Sequence, residues 1–117
     1  MNKKSLHAYR KMHRRHRKEL IQLAKEDREW DWYYLHDLVI TKIKHMYEYY
    51  EKGDNVWQTD ETRLQIIESL KHVLDLQDRI DKIWSGEEAV MDKWLMEQQL
   101  YEEMYLYIGK NIQRWWD

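Results

Sequence analysis

Apolar residues recur every three or four positions through most of the chain, the spacing that puts them on one face of an α-helix. The first such stretch, from about residue 4 to 27, places Leu6, Tyr9, His13, His16, Leu20 and Leu23 in register, so two histidines stand where core residues are expected. The second, from about 31 to 52, carries Leu35, Val39, Ile43, Met46 and Tyr50, widened by Leu38. Tyr33, His36, Ile40, Lys44 and Tyr47 flank that stripe. The third, from about 60 to 84, carries Arg63, Ile66, Ile67, Leu70, Val73, Leu74, Gln77, Ile80 and Trp84. The fourth, from about 87 to 115, carries Val90, Trp94, Tyr101, Met104, Tyr105, Ile108, Ile112 and Trp115. No stretch alternates with the period of two that a strand requires.

Capping chemistry divides these stretches. Asp31 suits the start of the second helix, and Gly53 suits the left-handed position after it, with Gly53-Asp54-Asn55 as a turn. Thr59, followed by Asp60 and Glu61, opens the third helix. Ser85 with Glu88 reads as a capping box for the fourth. No Gly or Pro separates the first two helices, which are either distinct or one kinked helix. Short connections predict an all-α single domain over residues 1–117, an antiparallel four-helix bundle. Each helix keeps one polar face, which argues for a soluble bundle over a long coiled coil.

Charge adds an asymmetry. Residues 1–18 carry eight Lys or Arg, three His and no acid, while residues 19–117 carry 12 basic and 22 acidic side chains. The basic arm forms two adjacent stripes, Lys3-His7-Arg10-Arg14-Arg17 and Lys4-Lys11-Arg15-Lys18. Cations at a helix N-terminus oppose the helix dipole, so the first turns fray unless an anion holds them. That anion is an external partner, the acidic body, or a second copy of it. With no Cys there is no disulfide or thiolate chemistry, as suits a reducing cytosol. No apolar run approaches the roughly 20 residues of a membrane span, and the N-terminus lacks the apolar region of a secretory signal.

Enzyme and metal chemistry find little support. No Glu-x-x-His exists for a di-iron bundle, and the arginines around His13 and His16 repel a divalent cation. No nucleophile elbow, phosphate loop or zinc protease motif is present. Asp75, Asp78 and Asp81 fall at solvated helical positions. No cofactor and no catalysis are therefore expected. The aromatics point to binding: seven Trp, nine Tyr and no Phe, so every ring carries a polar handle or an N–H. At the junction of the first two helices, Arg10, His13, Arg14 and Arg17 would take phosphates while Trp30, Trp32, Tyr33 and His36 stack on a base. The plainer alternative is that these rings seal one end of the bundle. The basic helix also suits nucleic acid, although the acidic body repels a strand that runs beyond it. Trp115 and Trp116, at an exposed end, suit a protein partner. An aromatic surface of this kind is compatible with homo-oligomers.

The segment Trp30-Asp31-Trp32-Tyr33-Tyr34-Leu35, continuing Lys42-Ile43-Lys44-His45-Met46-Tyr47-Glu48-Tyr49-Tyr50, resembles a recurrent block in small phage-encoded helical proteins. Asn111-Ile112-Gln113-Arg114-Trp115-Trp116-Asp117 is similar to their C-terminus, and Leu74 through Ile80 to their third helix. The resemblance covers about half of the chain, in pieces, and omits the basic arm. It implies a phage accessory protein working in the cytoplasm of the bacterial host. Counter-defence by sequestering an anionic nucleotide-type ligand fits that setting. So does inhibition of a host protein, with the acidic third and fourth helices imitating nucleic acid.

Overall fold

The computed structural model describes residues 3–52 and 58–116. Its elements are α1 (Lys3–Glu26), α2 (Trp32–Lys52), α3 (Asp60–Ser85) and α4 (Lys93–Asn111), closed by a 3-10 turn at Ile112–Arg114. Among the described residues there is no strand, and the fold is all-α. Residues 27–31 interrupt the first two helices, which are separate. Asp31 caps α2, its Oδ1 accepting from the Tyr33 N–H at 3.0 Å. Thr59 caps α3 through the Thr62 N–H at 3.2 Å. The turn foreseen at Gly53-Asp54-Asn55 lies outside the described residues.

The start of α4 departs from the sequence expectation. Gly86 adopts φ 85° and ends α3, a left-handed conformation that Gly takes without steric cost. The Ser85 hydroxyl donates to the Lys82 carbonyl at 3.1 Å, and Glu88 pairs with Arg79 at 3.1 Å, so the two form no capping box. Asp92 caps α4 instead, six residues later than Gly86, accepting from the Leu95 N–H at 3.1 Å. At the other end α4 stops at Asn111, whose side-chain amide donates to the Tyr107 carbonyl at 2.8 Å.

The core lies between α2, α3 and α4. Ile40, Ile43 and Tyr50 meet Ile66, Leu70, Val73, Leu76, Ile80 and Ile83, with Leu100, Met104, Ile108 and Trp115 closing the far side. The stripe read from spacing enters this core in part, with Ile43 and Tyr50 buried and Val39 and Met46 packed against it. His36, Ile40, Ile43 and Tyr50 are buried, while Leu35 is 67% exposed and Leu38 is exposed too. The reason is that α2 has neighbours on two sides, and its isoleucines turn to the larger apolar surface, that of α3.

The helices pack in chain order, α1 on α2, α2 on α3 and α3 on α4, and α1 has no comparable packing against α3 or α4. Tyr9 meets Tyr49 and His16 meets His45, so residue numbers fall along α2 as they rise along α1. With α1 to one side, the radius of gyration is 16.2 Å and the molecule spans 52 × 35 × 26 Å. A compact chain of this length would have a radius near roughly 13 Å. Among the 24 residues of α1 only His16 is buried. Tyr9, Met12, Leu20 and Leu23 share its side half-covered, whereas Leu6 and His13, expected on the inner stripe, are exposed.

Candidate functional site

An α-helix turns about 100° per residue, so the buried His16 fixes which way every other side chain of α1 points. All eight cations of residues 3–18 then fall within about 80° of the direction opposite His16. Lys3, Arg10 and Arg17 repeat at seven residues, as do Lys4, Lys11 and Lys18, about 10.5 Å apart along the helix. All of them are exposed. Of the eight, only Arg15 has a carboxylate partner among the described residues. The helix thus presents its cations to solvent and away from the acidic body.

Its inner side is held by a polar seam. The His16 and His45 rings stack at 3.8 Å, 7° from parallel. Each imidazole reaches a carboxylate on the other helix: His45 Nε2 lies 2.7 Å from Glu19, and His16 Nε2 lies 3.2 Å from Glu48. A carboxylate only accepts, so each Nε2 carries a hydrogen and donates. The Arg15 guanidinium forks onto both oxygens of Glu48, and Lys52 stands 3.6 Å away. Burial, and the facing His45, push the His16 pKa down. The bond from His45 holds Glu19 below the usual carboxylate range, and the bond from Arg15 does the same for Glu48. His45 Nδ1 is buried without a hydrogen-bond partner among the described residues. The sequence did carry a signal for this seam, His16-x-x-Glu19 and His45-x-x-Glu48, the reverse of the metal motif sought above.

The residues assigned to a nucleotide site fall into separate places. Arg10, His13, Arg14 and Arg17 are exposed on α1, beside the C-terminal half of α2. Trp30, Trp32, Tyr33 and His36 lie at the opposite end of the hairpin. Thirteen residues separate Trp32 from His45, about 20 Å along the helix. His36 is 3% exposed, with Nε2 at 2.5 Å from Gln77 Oε1 and Nδ1 at 2.6 Å from the Tyr105 hydroxyl. Both ring nitrogens are therefore occupied within the fold. Trp32 packs edge-on against Tyr101 at 5.5 Å, and Tyr101 edge-on against His36 at 4.8 Å. Burial, and then Glu97, push the Tyr101 hydroxyl up to about 12; burial also raises Tyr105. Trp32, His36 and the two tyrosines pack as a seal across α2 and α4, with Tyr33 at its edge. Trp30 stands apart at 79% exposed, the Arg28 guanidinium 5.8 Å from its ring.

The two C-terminal tryptophans also divide. Trp115 is buried, its indole N–H donating to Ser69 Oγ at 2.9 Å. Trp116 is 59% exposed, its carbonyl accepting from the Gln58 amide at 2.7 Å. Both line a cleft of about 840 Å³ between α3 and the end of α4.

The chain matches no family model, no curated protein and no solved structure. Among the described residues no group of three His, Asp or Glu converges to hold a metal ion. No helix among them is long and apolar enough to cross a membrane. The geometry alone carries the functional argument, and its most distinctive element is the free cationic face of α1.

Proposed function

We propose that the protein is a non-enzymatic phage accessory protein that binds a nucleic-acid strand along the free face of α1. The supporting observation is the set of seven cations opposite His16 that have no carboxylate partner among the described residues. Phosphates that displace counterions onto such a face bind with an affinity that falls steeply as salt rises. The acidic remainder of the chain confines the footprint to α1, which favours a short contact over wrapping. We read the helices as an antiparallel four-helix bundle opened at α1, so that this face stays free. The resemblance of the Trp30–Tyr50 segment to small phage proteins supports the reading that the protein works in the host cytoplasm, where capture of a nucleic acid or nucleotide signal would serve counter-defence.

Fluorescence anisotropy with a labelled single-stranded oligonucleotide, from about 50 to 300 mM salt, tests this reading. A log–log slope near −4 is expected if roughly half a dozen phosphates are neutralised. Replacing Arg10, Arg14 and Arg17 together by Ala should reduce affinity at least tenfold and flatten the slope by about 2. A slope near zero in the parent protein would remove the proposal. A second reading, inhibition of a host protein, is favoured by Trp30 and by exposed Trp94 and Met91. It predicts that Trp30→Ala abolishes partner capture while leaving oligonucleotide affinity unchanged.

A further inference from the structure

The cleft beside Trp116 differs in chemistry from the rest of the surface. The chain is 36% charged, yet of the 13 described residues lining this cleft only Glu68 and Arg114 are acids or strong bases. Neutral amides and hydroxyls take their place. The floor is fixed by bonds among its own members: Ser69 Oγ accepts from the Trp115 indole at 2.9 Å and from the Tyr107 hydroxyl at 3.0 Å. The His72 ring lies 4.3 Å from that of Tyr107. The rim is different. The side-chain amides of Gln65 and Gln113 bond to no described residue, and Trp116 is 59% exposed.

We propose that this cleft binds a nucleobase. The Trp116 ring supplies the stacking platform, as aromatics do for unpaired bases. A Gln amide offers a donor and an acceptor side by side, the pattern that pairs with a base edge. Glu68 accepts from an exocyclic amine or a ribose hydroxyl, and Arg114 takes a 5′-phosphate. The volume lies in the range of small-ligand pockets. The floor is fixed before a ligand arrives, so only the rim side chains are ordered on binding. This site is separate from the α1 face, and neither depends on the other.

Calorimetric titration of the full chain with the uncharged nucleosides and their 5′-monophosphates tests it. One saturable site is expected, filled by at least one base, with the monophosphate binding more tightly than its nucleoside. Trp116→Ala should weaken both roughly tenfold. Arg114→Ala should remove the preference for the monophosphate and leave nucleoside affinity unchanged. Gln65→Leu, an exposed change that leaves the floor intact, should alter the order of preference among bases. The Arg10/Arg14/Arg17→Ala variant should bind like the parent, which separates this site from the α1 reading. No saturable binding by any of these ligands up to about 1 mM would overturn the proposal. So would binding that survives Trp116→Ala unchanged, or saturation by simple methyl glycosides in place of nucleosides.

Discussion

The two sides of α2 hold their neighbours by different physics. Toward α3 and α4 it presents Ile40, Ile43 and Tyr50 to a core in which Leu70, Val73, Ile83 and Met104 are fully covered. That contact is mainly apolar; its polar members are His36, bonded to Gln77 and Tyr105, and Arg63, which donates to the Tyr50 carbonyl at 3.1 Å. Toward α1 it presents His45 and Glu48, paired with Glu19 and His16 across the seam. Apolar contact there is thin, since α1 buries a single side chain. Burying apolar area stabilises by about 25 cal/mol per Å² at any ordinary pH, whereas exposed ion pairs contribute about 0–1 kcal/mol and weaken with salt. One helix therefore provides a permanent joint and a conditional one. The conditional joint carries the cationic face, so whatever loosens the seam also changes how that face is presented.

The largest effect should come from the core. Leu70→Ala is expected to lower global stability by about 2–5 kcal/mol in denaturant unfolding, with little dependence on pH. A loss below about 1 kcal/mol would mean that the joint among α2, α3 and α4 is not the stabilising one.

The seam should respond next, and locally. Glu48→Gln removes the negative charge and one of the two acceptor oxygens that Arg15 and His16 share. Amide exchange should show α1 opening more easily by about 1–2 kcal/mol while amides of α3 keep their protection. Equal loss in both helices would contradict the division.

Acid provides a milder perturbation of the same joint. The folded-state pKa of His16 is lowered, so the folded protein binds that proton less readily than the unfolded chain. The stabilisation it gives is present above the ordinary histidine value of 6.5 and is lost as pH falls from there through the folded pKa. Glu19 and Glu48 are lowered too, and their contribution is lost further down, below the ordinary carboxylate value of 4.5. Exchange of α1 amides, corrected for intrinsic rates, should quicken in those two steps. The smallest effect is expected at Leu35, which spacing alone assigns to the core. Leu35→Ala should cost under about 0.5 kcal/mol, against about 2 kcal/mol or more for Ile40→Ala.

Helix number and most boundaries were legible because periodicity and caps agreed, as at Asp31 and Thr59. The free face of α1 was legible as two basic stripes, since charge and helical period together fix a direction. The orientation of α2 was legible in part: Val39, Ile43, Met46 and Tyr50 meet the core as spacing indicates, but a helix with neighbours on both sides has two inner stripes, and spacing does not rank His36 and Ile40 above Leu35 and Leu38. The late start of α4 was not legible because Ser85 and Glu88 are taken up by Lys82 and Arg79 of α3, leaving Asp92 to supply the cap. The junction site failed on geometry of another kind. Arg14 and Trp30 are near in sequence, yet a hairpin sends the basic turns of α1 back toward the far end of α2. His36, read as a ligand-facing ring, was taken up by Gln77 and Tyr105, partners 41 and 69 residues away that no local pattern indicates.

The measurement that bears most directly on this division is hydrogen exchange on the parent protein at about pH 7.5 and about pH 5, resolved by helix and corrected for intrinsic rates. The His16–His45 seam predicts that protection across α1 falls several-fold at the lower pH while α3 and the core-facing part of α4 stay unchanged. Protection in α1 that does not change with pH, or that falls in step with α3, would contradict a separately held, titratable first helix.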